Sequence, residues 1–476
     1  MSALGQAIVV IGAGLNGLVA ATYLARAGHA VTLVEADGSP GGMCANRVPI
    51  SAFAVPPGPH LFTALDPRII KELDLNLAFV ARDLPLIGLR AEGPPLLLPR
   101  DVHEARRHLA PLSQRDGERF AAFRREHFAF ARAMRALWWE EGELTDEHAR
   151  ATLRRMQVTS AAAWLDGAFE SESLLAAYAF DVLAAGLSPS AAGSALLFTW
   201  RAAQEMCGLQ GAVAIPDGGP SRLIDAMMNT AEAAGVAIRF ESAVRALETD
   251  GERVRGVVLA SGEKLPAAAV LSSLSKRQTL IDFLPPGRAG FATARALEKP
   301  QSCGEAKVLL TLSALPKLFE QPGRYVIAER LETSASAHAA ARTGVIPADL
   351  ALEIVALPTG GTPPVLLSIL VRPVPVEPIG GWKDQATRLV QAVLHKLELH
   401  IPQFTGLVAG LAFVPPKSRD PFCMSAMVSP WRARIQTPLK GLYLCGEAAE
   451  PVPCLSGRAA RIAAALVVAD LQEAKT

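Results

Sequence analysis

Ala7 to Glu35 reads AIVVIGAGLNGLVAATYLARAGHAVTLVE. Ala7 to Ile11 is short, apolar and rich in β-branched residues, the pattern of a strand covered on both sheet faces. Gly12-Ala13-Gly14-Leu15-Asn16-Gly17 follows at once. Leu18 to Ala27 has helix-forming composition, Gly28 supplies a stop, and Ala30 to Val34 is a second apolar run ending at Glu35. Strand, glycine turn, helix and strand in this order predict a Rossmann-type α/β unit. In such a unit Gly12 allows the tight turn, Gly14 lets backbone approach a pyrophosphate, and Gly17 lets helix pack on strand. The helix N-terminus offers free N–H groups to phosphate, and Leu15 and Asn16 of the turn are candidate cofactor contacts. Glu35 stands where an acid binds ribose hydroxyls and repels a 2′-phosphate, with Ala36 beside it. The motif alone serves FAD or NAD; Gly41-Gly42, followed by Met43, turns the reading toward FAD.

Outward from this unit, 476 residues exceed what one core supports, so about two domains are expected. Forty-seven Lys plus Arg balance 46 Asp plus Glu, which leaves no global field for nucleic acid or an anionic membrane. Six scattered cysteines form no Cys-x-x-Cys pair, so neither a metal site nor a disulfide framework is expected. The N-terminus runs almost directly into the first strand and lacks the look of a secretory signal. No run reaches the roughly 18 apolar residues of a spanning helix. A cytoplasmic protein is the expectation, with peripheral membrane contact and oligomeric state left open.

Four segments resemble the phytoene desaturase-like FAD-dependent oxidoreductases, in particular the branch related to pyridine nucleotide-disulfide oxidoreductase domain-containing proteins. They are Ala7 to Gly42; Phe53 with Gly58-Pro59; Ile215 to Gly219 with the stretch on to Val244; and Gly441 to Glu447 with Ser456-Gly457 and an alanine-rich helix. The resemblance implies a glutathione reductase-like FAD domain with a discontinuous α+β substrate domain. The FAD domain would gather residues 1–90, 211–285 and 420–476, leaving 91–210 and 286–419 to the substrate. It also implies that Val244 touches the adenine, that Gly446 and Glu447 meet the ribityl chain, and that Leu455 and Ser456 open a helix aimed at the flavin pyrimidine. Reduced flavin carries negative charge there, which a helix N-terminus stabilises.

Two departures bear on the reaction. The family's glycine-rich stretch before the last helix is Val452-Pro453-Cys454 here, and an Arg often found after the double glycine is Met43. Bulkier residues reshape a face that glycines leave flat. A substrate other than a long linear carotene is therefore expected.

Ala105 to Trp200 reads as several helices, and its aromatic residues, Trp138, Trp139, Trp164, Phe169, Tyr178, Phe180, Phe198 and Trp200, are candidates for an apolar pocket or for plain core. Val308 to Ser313, Leu352 to Val355 and Val365 to Val371 read as strands. By position, His60, Arg201, Glu205 and Cys454 are the candidates near the ring. The leading expectation is a desaturase or oxidase acting on a small apolar, isoprenoid-like substrate. A flavin-dependent isomerase without net redox change and a non-catalytic lipid-binding or escort protein of the same fold are the alternatives.

Overall fold

The structure, a computed structural model, describes residues 7–140, 142–328, 330–357 and 364–473. The domain spans expected above also include residues 1–6, 141, 329, 358–363 and 474–476, which lie outside the described residues. The opening unit folds as read: β1 (Ala7–Ile11), α1 (Leu15–Arg26) and β2 (Ala30–Val34). The helix begins three residues before the predicted Leu18, because Gly14 already serves as its N-cap and Asn16 and Gly17 fall in the first turn. Further along come α2 (Ser221–Ala233), β3 (Ala237–Arg239), β4 (Ala269–Ser272), β5 (Leu442–Leu444) and α3 (Arg458–Glu473). The strands form one parallel sheet in the order β3-β2-β1-β4-β5.

Both faces of that sheet are covered, which is why its strands are apolar throughout. Ile8, Val10, Leu33 and Leu271 join the core beneath α1, α2 and α3. Val9, Ile11, Val34 and Val270 join a second core beneath the antiparallel ribbon Val244–Thr249, Val254–Leu259 and Lys264–Pro266. Each such side chain contributes roughly 1.5–3 kcal/mol on burial.

A seven-stranded sheet follows the order Val408–Val414, Cys303–Leu312, Val365–Pro375, Ala351–Leu357, Arg324–Ile327, Leu86–Leu89, Leu96–Leu98. All of its pairings are antiparallel except Arg324–Ile327 on Leu86–Leu89. The predicted strands are present and longer than read, and the pleat divides their residues sharply. Val308, Leu310, Ile354, Leu367 and Ile369 pack into one core with Leu389, Val393 and Leu397 of the helix Gly381–His400. Alternate positions carry Lys307, Thr311, Arg324, Glu353, Ser368 and Arg372, all buried as well. Charges buried on that face, among Leu309, Val355 and Leu366, need partners.

The helices Gln114–Ala133, Glu172–Leu183 and Ala195–Ala203 form a further layer, held by a core of Trp138, Phe120, Phe169, Leu196 and Trp200. Trp138 donates Nε1–H to the Met427 carbonyl at 2.8 Å, an anchoring core position rather than a pocket wall. Among the described residues no helix is long and apolar enough to cross a membrane.

His127 of this layer stacks on Phe198 at 4.6 Å and meets Trp164 edge-on at 4.9 Å, and burial pushes its pKa down to about 3. The unfolded chain takes up a proton below about pH 6.5 that the native ring refuses. Stability is therefore full above that pH and is lost as pH falls toward the folded pKa. Urea unfolding should lose about 1.4 kcal/mol per pH unit to this group below pH 6. His127→Phe should flatten the dependence; an unchanged slope would remove His127 as its source.

Candidate functional site

The glycine turn separates two kinds of glycine. A Cβ on Gly17 would stand 1.7 Å from the Gly12 carbonyl oxygen, and one on Gly12, whose φ is +94°, would lie 2.5 Å from Ser273 Oγ. These two are required by the protein's own packing. A Cβ on Gly14 would meet nothing within 4 Å, although Gly14 caps α1 and is half-buried. Space is thus kept open at a helix N-terminus, as a pyrophosphate requires. Leu15 is buried beneath the turn, and Asn16 has a buried Oδ1 with no hydrogen-bond partner.

Glu35 ends β2 half-buried, its Oε2 accepting from Ala13 N at 2.6 Å and its Oε1 from Asp37 N at 3.0 Å. Ser242 N donates to the Glu35 carbonyl at 2.7 Å, which brings the start of the strand at Val244 beside Glu35 and the exposed Ala36. A Cβ on Gly42 would lie 3.8 Å from Gly14 Cα, and Gly58 N donates to the Met43 carbonyl at 3.0 Å. The double-glycine turn therefore bridges the phosphate cradle and the Pro56–Gly58 turn. These groups fit FAD: the Gly12 to Gly17 turn and α1 for the pyrophosphate, Glu35 for the ribose, Val244 for the adenine side.

The C-terminal pieces close on the same region. Gly446 follows β5 where a Cβ would stand 2.2 Å from the Ser273 carbonyl oxygen, so only glycine fits. Glu447, half-buried, comes next, close enough to Arg419 to favour its cationic form. Fully buried Ser456 accepts from Arg458 N at 2.9 Å, capping α3, and gives its own proton to Glu450. Its hydroxyl proton is thus committed inside the protein. Glu450 also accepts from Ala459 N at 3.0 Å, and burial raises its pKa. Leu455 packs partly buried against the core beneath α3.

The charged face of the seven-stranded sheet meets the Pro56–His60 segment. Lys307 Nζ donates to the carbonyls of Pro56 and Gly58, both at 2.8 Å, and burial lowers its pKa to about 8 against the pull of Glu305. His60 is buried with both ring nitrogens engaged, Nδ1 with Ser368 Oγ at 2.7 Å and Nε2 with Glu353 Oε1 at 3.0 Å. Burial lowers its pKa and Glu353 opposes that shift. Burial would likewise raise Glu353, but Arg324, His60 and Arg372 outweigh it and hold the carboxyl well below the usual range. Arg324 binds Glu353 Oε2 and reaches Asp181 of the helix Glu172–Leu183. The result is a continuous chain of His60, Glu353, Arg324 and Asp181. Both His60 ring nitrogens are thus occupied within the protein.

Arg324 and Asp181 also line a cavity of about 130 Å³ together with Arg201 and the rings of Phe120, Tyr178 and Phe198. Of the four residues chosen for chemistry, Arg201 lines this cavity and His60 reaches it through Glu353 and Arg324. Glu205 is turned elsewhere, paired with Arg135 at 2.9 Å. Cys454 packs beside buried Val452 against the helical core, and burial, reinforced by Glu450, raises its thiol well above the ordinary value. Sequence reasoning missed Lys307, Arg324, Glu353, Ser368 and Arg372. Their signal was present: isolated polar residues of one parity, such as Lys307 with Thr311 and Ser368 with Arg372, in strands otherwise apolar on both faces.

The family model of the flavin containing amine oxidoreductases matches residues 15–316. Pyridine nucleotide-disulfide oxidoreductase domain-containing protein 2 of Rattus norvegicus is 27% identical over 542 residues, covering 98% of this chain and 93% of that protein. The phytoene dehydrogenase of Streptomyces griseus is 31% identical over 285 residues, covering 56% and 53%. Among solved structures, an oxidoreductase from Methanosarcina mazei superposes with a TM-score of 0.67 at 18% identity over 97% of this chain and 100% of its own. Putrescine oxidase bound to putrescine superposes with a TM-score of 0.64 at 13% identity, covering 98% and 99%.

Two substitutions in the glycine turn should part company. Gly14→Val should fold and lose FAD, whereas Gly17→Ala should cost about 3 kcal/mol or more through overpacking. Flavin content and melting temperature measured on both variants check this, and stoichiometric FAD in folded Gly14→Val would contradict it. Lys307→Met strands two carbonyls at about 1–3 kcal/mol each. It should lower both melting temperature and flavin retention, and an unchanged pair of values would show that Lys307 does not hold the Pro56–Gly58 turn.

Proposed function

From the premise that this chain belongs to the flavin containing amine oxidoreductase family and is an FAD-dependent oxidoreductase of its phytoene desaturase-like branch, we propose that it dehydrogenates a lipophilic, isoprenoid-like small molecule. The observation that carries this reading is the aromatic wall of Phe120, Tyr178 and Phe198 beside the buried charged chain from Asp181 to His60. Relatives named phytoene desaturase and phytoene dehydrogenase support an apolar substrate.

When bound, FAD supplies the two-electron acceptor for the C–H bond that is broken. The protein's part is placement and exclusion of water. Lys307 and His60 fix the Pro56–His60 segment from below through hydrogen bonds that leave neither His60 nitrogen free. The Phe120 and Phe198 rings offer the substrate an apolar surface. Val452 is buried among the helical core and Pro453 fixes the backbone beside it, so this segment gives less room than consecutive glycines would. A substrate shorter than a full-length carotene follows.

Anaerobic mixing of the purified yellow protein with candidate substrates tests the reading. Short isoprenoid alkenes should bleach the flavin absorption, and a full-length carotene or putrescine should not. Bleaching by putrescine alone would contradict a lipophilic substrate, and efficient desaturation of the long carotene would contradict the narrowing by Val452-Pro453-Cys454.

A further inference from the structure

The 130 Å³ cavity is apolar on one side only. Its wall also holds four arginines, Arg100, Arg124, Arg201 and Arg324, against two aspartates, Asp83 and Asp181. Arg100 is paired with Asp83, and Arg324 with Asp181 and Glu353. Among the described residues, neither Arg124 nor Arg201 forms an ion pair. Arg124 donates to the carbonyls of Pro99 and Arg100 at 3.0 and 2.8 Å. Arg201 reaches the Gly211 and Ala212 carbonyls only at 3.3 and 3.4 Å, and its buried Nη1 has no partner.

Burial acts to discharge Arg201, yet a guanidinium keeps its proton in proteins. Asp181 and Glu353 act on this half-buried cation only from a distance, being bonded to Arg324, so it has no ion-pair partner of its own and is relieved by a counter-charge. The protein supplies backbone dipoles but no free carboxylate. Aromatic rings flank the same space: Tyr178 stands 5.2 Å from Phe198 and stacks on Phe120 at 6.5 Å. Phe123 and His127 also line a second cavity of about 670 Å³, whose wall is mixed, with Arg119, Glu126 and Arg155 beside Phe130 and Trp164.

We propose that the substrate is an amphipathic acid, an apolar chain ending in a carboxylate that Arg201, with Arg124, binds in this cavity. The inference deepens the lipophilic-substrate reading and rests on it. A planar fork of N–H donors matches a carboxylate in both charge and shape. The same excess of positive charge repels an ammonium group, so amines are poor ligands here despite the family's name.

Geranate, geraniol and geranylamine share one chain and differ at its end. Calorimetric titration of the FAD-loaded protein should give geranate an affinity at least ten-fold above geraniol, with geranylamine weakest. Arg201→Ala should cut geranate affinity ten-fold or more and leave geraniol unchanged, and Arg201→Lys should restore part of the loss. If Arg201→Ala does not fold, the ranking of the three probes on the native protein decides. Equal or tighter binding of geranylamine, binding of none of the three, or full geranate affinity in both Arg201→Ala and Arg124→Ala would overturn the proposal. Calorimetry reads the cavity without turnover. A geranate preference with no lipophilic compound dehydrogenated would defeat the functional reading, whereas dehydrogenation without that preference would defeat this inference alone.

Discussion

Glu353 is a carboxylate cut off from solvent in the middle of a sheet, and each of its oxygens already has a partner: His60 on one, Arg324 on the other. Removing one partner of such a buried group typically costs about 3–5 kcal/mol, so the arrangement holds three parts of the molecule in register. His60 ties down the segment after Gly58, Arg324 belongs to the neighbouring strand, and through Arg324 the carboxylate reaches Asp181 on the helical layer. Lys307, on the same face of the sheet, fixes the start of the segment that His60 ends. Charge pairing thus acts beside apolar packing, in which Ile50 and Val55 meet Leu309 and Leu366, to set where the sheet stands relative to the glycine turns.

A second buried cluster joins the last helix to the helical layer. Arg458 is completely buried, with Nε 3.2 Å from Asp66 Oδ2, and it lies 4.6 Å from the Trp139 ring, which Arg135 also approaches at 4.2 Å. Asp66 N donates to the Ser456 carbonyl at 3.0 Å. The residues that cap α3 are therefore bonded to residues that begin the helix Pro67–Glu72. This buried seam ties the start of α3 to the helical layer.

Legibility followed the range of the interactions. Residues 7–35 could be read directly, because strand, turn, helix and terminal acid signal through neighbours in the chain. Even there the helix start was misplaced by three residues, since Gly14 as a cap is visible only in its backbone angles. The charged sheet face was not legible as a unit: His60 and Glu353 are 293 residues apart, and Lys307 and Pro56 are 251 apart. Only the cross-strand register places them together. The aromatic residues illustrate the same limit. Trp138 is core while Tyr178 and Phe198 wall a cavity, and in helices buried nearly all round no periodicity separates the two roles.

We propose that the flavin and the arginine-bearing cavity belong to one chamber, joined across the His60, Glu353 and Arg324 chain. Diffraction from crystals of the FAD-loaded protein tests it most directly. The expected result is an isoalloxazine ring seated on the Pro56–Gly58 turn, with one face open toward the space bounded by Arg201, Tyr178 and Phe198. A ring placed away from that turn, or walled off from the cavity by the His60 and Glu353 side chains, would contradict it.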